Sequence, residues 1–271
     1  MAIDPTRFCI NRKIAPRLSL EAFFQLVHRL GLSKVELRND MPGGKVTDGL
    51  SADQLRALTD KYHIDIITIN ALYPFNRIDD DLLTRSEALL QEAQRIGARA
   101  LVMCPLNEGI TVSPQQTLAA MQQLAPRFAH YGIQGLVEPL GFPVSSLRST
   151  VQAQQLIAEA DVPFKLVLDT FHHHLYEQAE QEFPASIDIE QIGLVHLSGV
   201  EDLRPTAELT DEERVMLSDS DVLNSVVQVK RLEMLGYKGI YAFEPFSSQL
   251  ERWTPAEIER QIRHSIELLQ A

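Results

Sequence analysis

Eight short apolar runs recur along the 271-residue chain, and each is followed by a longer amphipathic segment. The runs are rich in Val, Ile, Leu and Phe, and most are almost continuously hydrophobic rather than alternating, which is typical of parallel strands covered on both faces. Regular alternation of such runs with amphipathic segments predicts β–α units. The predicted strands are residues 7–11, 34–38, 64–70, 99–104, 134–139, 164–170, 193–198 and 239–245.

Several of the amphipathic segments have recognisable helix ends. Ser19, Asp79, Ser113 and Thr254 stand where the first residue before a helix is expected, because their side chains can accept a hydrogen bond from a free backbone N–H. A glycine ends the helical pattern four times, each time just before a predicted strand, which favours a left-handed C-terminal cap. These glycines are Gly31, Gly97, Gly132 and Gly236.

The number of units indicates the architecture. Eight units in 271 residues give about 34 residues per unit, close to the spacing of a (β/α)8 barrel of roughly 250 residues. The alternative is a doubly wound open sheet, but no Gly-x-Gly-x-x-Gly follows the first strand and no Pro/Gly/Ser-rich linker divides the chain. We therefore predict an α/β fold, a (β/α)8 TIM barrel that forms a single domain over residues 1–271.

The charge balance narrows the range of partners. The chain has 25 Lys and Arg against 37 Asp and Glu, a net charge of −12, which disfavours nucleic acid and acidic membrane surfaces. The first residues lack the apolar stretch of a signal peptide, and no segment approaches the roughly 20 apolar residues of a membrane span. Cys9 and Cys104 are too few for a disulfide framework and are interpreted as small buried hydrophobes. We expect a cytoplasmic protein with a small-molecule substrate; a homodimer is left open.

In a barrel of this kind the active site lies at the C-terminal ends of the strands. The last four predicted strands each end with one ionisable residue that can bind a cation: Glu138, Asp169, His196 and Glu244. Taken singly, each residue has a simpler interpretation. A carboxylate at a strand end can mark the point where the chain emerges into water, and His196 can be a core histidine whose hydrogen bonds are satisfied within the protein. Taken together, three carboxylates at one mouth would repel one another strongly unless a cation lay among them. The set predicts one divalent ion, Mn²⁺, Mg²⁺ or Co²⁺, with Zn²⁺ as a further option.

The series Glu…Asp-Thr-Phe-His…His…Glu on strands five to eight resembles the xylose-isomerase-like superfamily of sugar and cyclitol isomerases and epimerases. Further matching segments are FCINR, KVELR, ITINAL, LVLDTFHHH and LTDEERV. Within the superfamily the chain most closely resembles inosose (2-keto-myo-inositol) isomerases, over nearly its whole length. The resemblance implies that Glu138, Asp169, His196 and Glu244 hold the metal ion. It also implies that His172 binds a substrate hydroxyl and that Arg214 reaches in from the loop after strand seven.

The reaction implied by this resemblance is the conversion of 2-keto-myo-inositol to 1-keto-D-chiro-inositol, in inositol catabolism. A cation bound to the ketone and a neighbouring hydroxyl would lower the cost of removing a proton, through a metal-bound enediolate. Glu138 or Glu244 would take the proton, and one of the two carboxyl groups would return it. Glu36, Arg38 and Asn70, near the ends of strands two and three, are further candidates for binding hydroxyls; a salt bridge or loop-anchoring hydrogen bonds are the alternative.

Other activities stay open at this point. A ketose 3-epimerase, a hydroxypyruvate-type isomerase and an inosose dehydratase use the same metal ligands. The superfamily also contains apurinic endonucleases, phosphodiesterases with three zinc ions, but the sequence offers Asn70, Cys104 and Arg214 where their additional histidines are needed. A sugar-binding barrel without catalysis is the remaining alternative.

Overall fold

The computed structural model describes residues 2–271, apart from the side chains of residues 184 and 185. Eight strands form a closed barrel in the order β1 to β8, which confirms the predicted (β/α)8 fold. Each predicted strand agrees with the observed bounds to within two residues. The strands are β1 (Phe8–Asn11), β2 (Lys34–Arg38), β3 (Asp65–Leu72), β4 (Ala100–Met103), β5 (Gln134–Val137), β6 (Lys165–Asp169), β7 (Ile192–Leu197) and β8 (Ile240–Phe243).

One helix follows each strand, except that two short helices follow β6. Ser19, Asp79, Ser113 and Thr254 each accept a backbone N–H at a helix start, as predicted. Within residues 2–271, no helix is both long and apolar enough to cross a membrane. The helices are α1 (Leu20–Arg29), α2 (Ala52–Tyr62), α3 (Asp80–Ile96), α4 (Pro114–Tyr131), α5 (Thr150–Ala160), α6 (Thr170–Leu175), α7 (Ala179–Ser186), α8 (Ser225–Met234) and α9 (Pro255–Gln270).

The chain divides into two compact units, and the first contains residues up to Ile67 together with Val195–Ala271. In this unit β1 pairs in parallel with β2 on one side and with β8 on the other. The pairing places Asn11, the last residue of β1, beside Glu36, which lies two residues before the end of β2. The ring of Phe8 stacks on Phe243 with their centroids 5.8 Å apart, which closes the apolar core between β1 and β8.

The second unit contains Thr68–Leu194. Its strands β3 to β6 pair in parallel in sequence order. Gly135 in β5 is required by close packing, because a Cβ atom there would lie 2.5 Å from the ring of Phe164. The prediction that the whole chain forms one domain stays a prediction.

Candidate metal centre and active site

The four residues predicted as metal ligands lie at or just beyond the ends of β5 to β8, and all four are buried. The structure brings them together: each offers one ligand atom, and these atoms all lie within 4.8 Å of one another. The group consists of Glu138, Asp169, His196 and Glu244.

The chemistry of this group fits a divalent cation. A bond of about 2.1 Å from a small divalent ion to each oxygen or nitrogen places ligand atoms on opposite sides about 4.2 Å apart. The observed upper limit of 4.8 Å is compatible with that span. Buried carboxylates without a cation would repel one another, whereas three oxygen donors and one imidazole suit a hard or borderline metal.

Glu244 is surrounded by nitrogen atoms. Its Oε1 accepts from Arg38 Nη1 at 2.6 Å and from Asn11 Nδ2 at 3.2 Å, and its Oε2 accepts from Arg214 Nη2 at 3.2 Å. His196 Nδ1 lies 3.1 Å from the same Oε2. Burial alone would raise the pKa of Glu244, but its contacts with His196, Arg38 and Arg214 outweigh this effect and hold the pKa well below its usual range. Glu244 is therefore an anion at neutral pH.

Both guanidinium groups are held by further contacts. Arg38 makes a bidentate pair with Asp40, with distances of 2.7 and 2.8 Å. Arg214 donates through Nε to Ser198 and through Nη1 to Asp211. The ring of Phe246 lies 4.9 Å from the Arg38 guanidinium carbon and 4.6 Å from that of Arg214. These contacts hold the Arg38 guanidinium group at Oε1 of Glu244 and the Arg214 guanidinium group at Oε2.

The loop that carries Arg214 is tied to the segment after β8. A 3-10 turn over Asp211–Glu213 leads into Arg214, whose carbonyl oxygen accepts from the backbone N–H groups of Phe246 and Ser247. The side chain of Arg214 is 2% exposed. Arg214 therefore lies on the loop after β7, as predicted, and its guanidinium group contacts Glu244. A contact between Arg214 and substrate stays a prediction.

His196 is fully buried between carboxylates. Its Nε2 lies 3.1 Å from Glu36, whose side chain is also fully buried. Asn11 Nδ2 donates to Glu36 Oε1 at 3.2 Å, as well as to Glu244. Glu36, predicted as a substrate ligand, thus contacts His196 and Asn11 in the structure, and a contact with substrate stays a prediction.

In the second unit, Asp169 ends β6 and caps α6. Its Oδ1 accepts the backbone N–H groups of Phe171 at 2.7 Å and His172 at 3.3 Å, which fixes the carboxylate at the strand end. His172 lies in α6 with its ring edge-on to Phe142 and Phe171. Asn70 lies within β3, which continues two residues beyond the predicted end, and is buried.

Three neighbours of the site were missed or assigned another role by sequence reasoning. Asn11 ends the first apolar run. The candidate metal ligands were chosen as polar residues at strand ends, and the same criterion would have identified Asn11. Cys104, interpreted from sequence as a buried hydrophobe, is only half-buried, and its Sγ lies 3.5 Å from Glu138 Oε2 as a hydrogen-bond donor. Phe246 carries no sequence signal for its contact with two guanidinium groups.

Comparisons with known proteins agree with this architecture. A family model described as xylose isomerase-like TIM barrel matches residues 24–271. A solved structure of a xylose isomerase domain-containing protein from Salmonella typhimurium LT2 is 63% identical, covers 100% of both chains and superposes with a TM-score of 0.99. No curated protein gives a significant match.

More distant structures share the fold. An IolI protein with a bound zinc atom is 21% identical, with 97% of this chain and 98% of that chain covered and a TM-score of 0.83. The D-psicose 3-epimerase of Clostridium cellulolyticum H10, solved with D-tagatose, is 15% identical, with 98% and 100% covered and a TM-score of 0.69. The family match over residues 24–271 and the full-length likeness to the Salmonella protein show that the chain belongs to the xylose isomerase-like TIM barrel family.

Proposed function

We propose that this protein is a divalent-metal-dependent isomerase of keto-sugars or keto-cyclitols, with keto-inositols as substrates. The observation that carries the proposal is the buried group of three carboxylates and one imidazole whose ligand atoms lie within 4.8 Å of one another. The likeness in fold to an IolI protein that binds zinc and to a ketose epimerase supports the same chemistry. Conversion of 2-keto-myo-inositol to 1-keto-D-chiro-inositol, in the cytoplasm, is the specific reaction that we propose.

Glu138, Asp169, His196 and Glu244 would hold one ion of Mn²⁺, Co²⁺, Mg²⁺ or Zn²⁺, which when bound supplies Lewis-acid polarisation of a ketone oxygen. One of the two glutamates takes the proton from the hydroxyl-bearing carbon beside the ketone. A carboxyl group returns a proton to the former carbonyl carbon, while the hydroxyl proton moves to the other oxygen. The ketone is thereby transposed without a redox cofactor, since no electrons leave the substrate.

The surroundings of Glu244 suit this role. Arg38 and Arg214 keep its carboxylate ionised and oriented, so it is ready to bind a cation, while the same charges make it a weaker proton acceptor than an unpaired glutamate. His172, Arg214 and Asn70 are the proposed contacts for substrate hydroxyls. The roles of His172 and Arg214 carry over from the sequence resemblance, and that of Asn70 from its position near the end of predicted strand three.

An uncharged polyol fits this site better than a phosphorylated sugar. The guanidinium groups of Arg38 and Arg214 donate to Asp40, Asp211 and Glu244, so their charge is already matched by carboxylates. A phosphate group bound to Arg38 or Arg214 would have to displace one of these carboxylates from a buried ion pair, at a cost of about 3–5 kcal/mol. Free inososes and ketohexoses are therefore the first substrates to examine.

The test is isotope exchange. The purified protein with Mn²⁺ is incubated in D₂O with a panel of inososes and ketohexoses, and the products are analysed by NMR after the ion is removed with a chelator. We expect deuterium at a carbon next to the carbonyl, together with a transposed ketone in the true substrate. Exchange with inversion and no transposition would identify an epimerase, and loss of water a dehydratase. Saturable binding without exchange across the panel would contradict the enzymatic proposal.

A further inference from the structure

We propose that Glu36 is a positioning residue for the metal centre: it holds the proton of His196 on Nε2, so that Nδ1 is the nitrogen offered to the cation. This inference rests on the proposed function, because it concerns how the chain prepares one of the four ligands. It replaces the expectation from sequence that Glu36 binds substrate.

The geometry separates the two ring nitrogens of His196. Nε2 lies 3.1 Å from the Glu36 carboxylate, and Nδ1 lies 3.1 Å from Glu244 Oε2. Only Glu244 belongs to the group of four that can share a cation. Two ligands on one small ion are separated by about 3 Å when they are adjacent, given metal–ligand bonds of about 2.1 Å. The Nδ1 side of the ring is therefore the metal side, and the Nε2 side faces Glu36.

The chemistry of the partners then fixes the proton. An ionised carboxylate only accepts hydrogen bonds, and a neutral imidazole has a single N–H. With the proton on Nε2, His196 donates to Glu36 and keeps the Nδ1 lone pair for a metal. With the proton on Nδ1, His196 would donate to Glu244, but a lone pair would face the Glu36 oxygens in a fully buried site, and no nitrogen would be left for a cation shared with Glu244. Metal-binding histidines generally donate their second N–H to a carboxylate or carbonyl in this way.

Glu36 is itself held in place by the barrel strands. The β1–β2 register sets Asn11 beside Glu36. The Asn11 amide donates to both Glu36 and Glu244, and its Oδ1 accepts from Lys13 N at 3.0 Å and from Arg38 Nη1 at 3.3 Å. The Asn11 amide therefore links Glu36 to Glu244, one of the four proposed metal ligands. Since the Glu36 side chain is 0% exposed, this arrangement leaves it no open face toward solvent.

The test compares metal affinity in three variants of the full chain. Glu36→Leu removes the acceptor, Glu36→Gln keeps an acceptor oxygen, and Glu233→Gln is a matched control that neutralises a partly buried carboxylate on α8. Zn²⁺ affinity is measured by chelator competition, and unfolding is followed by circular dichroism. We expect Glu36→Leu to bind Zn²⁺ about 10–100-fold more weakly than wild type. Glu36→Gln should recover most of this loss, and Glu233→Gln should bind as wild type does.

A second measurement is made on the wild-type protein and needs a variant only to assign one signal. Long-range ¹H–¹⁵N NMR of the ¹⁵N-histidine-labelled wild type with Zn²⁺ should show His196 protonated at Nε2 and coordinated through Nδ1, with the signal assigned by its loss in His196→Asn. Coordination through Nε2, or a Glu36→Leu affinity within twofold of wild type, would overturn the positioning role. If wild type itself bound no Zn²⁺, the proposed function would fail first, and the two failures are thus distinct.

Discussion

Glu244 was identified from the sequence as a candidate metal ligand, whereas its neighbour Asn11 was not. The strand-end position and the resemblance both pointed to its carboxylate. Its contacts with Arg38 and Asn11 span 206 and 233 positions of the chain, so no local pattern encodes them. They appear only when β1, β2 and β8 are placed side by side. The members of the candidate ligand group were therefore predictable from residue type and strand end, whereas the hydrogen-bond network around Glu244 required the structure.

This network allows a sharp test of Glu244. In Glu244→Gln the amide oxygen still accepts from Arg38, so we expect the fold and most of the metal binding to be retained. The amide cannot take up a proton at neutral pH, and kcat should fall by about 10²–10⁴-fold. Turnover is measured by NMR on the substrate found by deuterium exchange, and Zn²⁺ affinity by chelator competition. Turnover near that of wild type would remove Glu244 from the proton-transfer step.

At the scale of elements, the local signals that predict structure are strong. The eight apolar runs gave strand positions because hydrophobicity along a buried parallel strand is a property of a few adjacent residues. Helices with a glycine after their last turn were equally readable: Gly97 and Gly132 adopt φ values of 74° and 66°. Helices α2 and α5 lack this signal, because they end at His63 and Asp161, which adopt the left-handed conformation without being glycine.

Asp161 gives a prediction about stability at such a helix end. It is exposed, with φ 52° and ψ 48°, a conformation that is strained for a residue with a Cβ atom. Its negative charge also lies at the negative end of the α5 dipole. We expect Asp161→Gly to raise the free energy of unfolding by about 0.5–1 kcal/mol, measured by urea denaturation.

The control for this helix end is Asp161→Ala, which removes the charge but keeps the Cβ atom. If backbone conformation is the main cause, the alanine variant should be clearly less stable than the glycine variant. Equal stability of the two variants would show that the charge, and not the left-handed backbone, determines the effect.

At the scale of the whole molecule, the net charge of −12 acquires a more specific meaning. Most of the 37 acidic residues lie outside the site, but three of them meet in one buried group. Arg38 and Arg214 each contact one of those three, Glu244. A cation would reduce the remaining repulsion among the carboxylates, so folding and metal binding should be coupled.

That coupling predicts how the whole protein responds to metal. Because the ion binds the folded chain, a free concentration of 100 times the dissociation constant should add about 2.7 kcal/mol to the free energy of unfolding. The melting temperature should therefore rise on addition of Mn²⁺ or Zn²⁺ and return to its starting value with EDTA. Mass spectrometry of metal content should give one ion per chain, because one group of four ligands lies among residues 2–271. Three zinc ions per chain would instead favour the phosphodiesterase chemistry of the apurinic endonucleases, and an unchanged melting temperature would contradict a metal centre at these four residues.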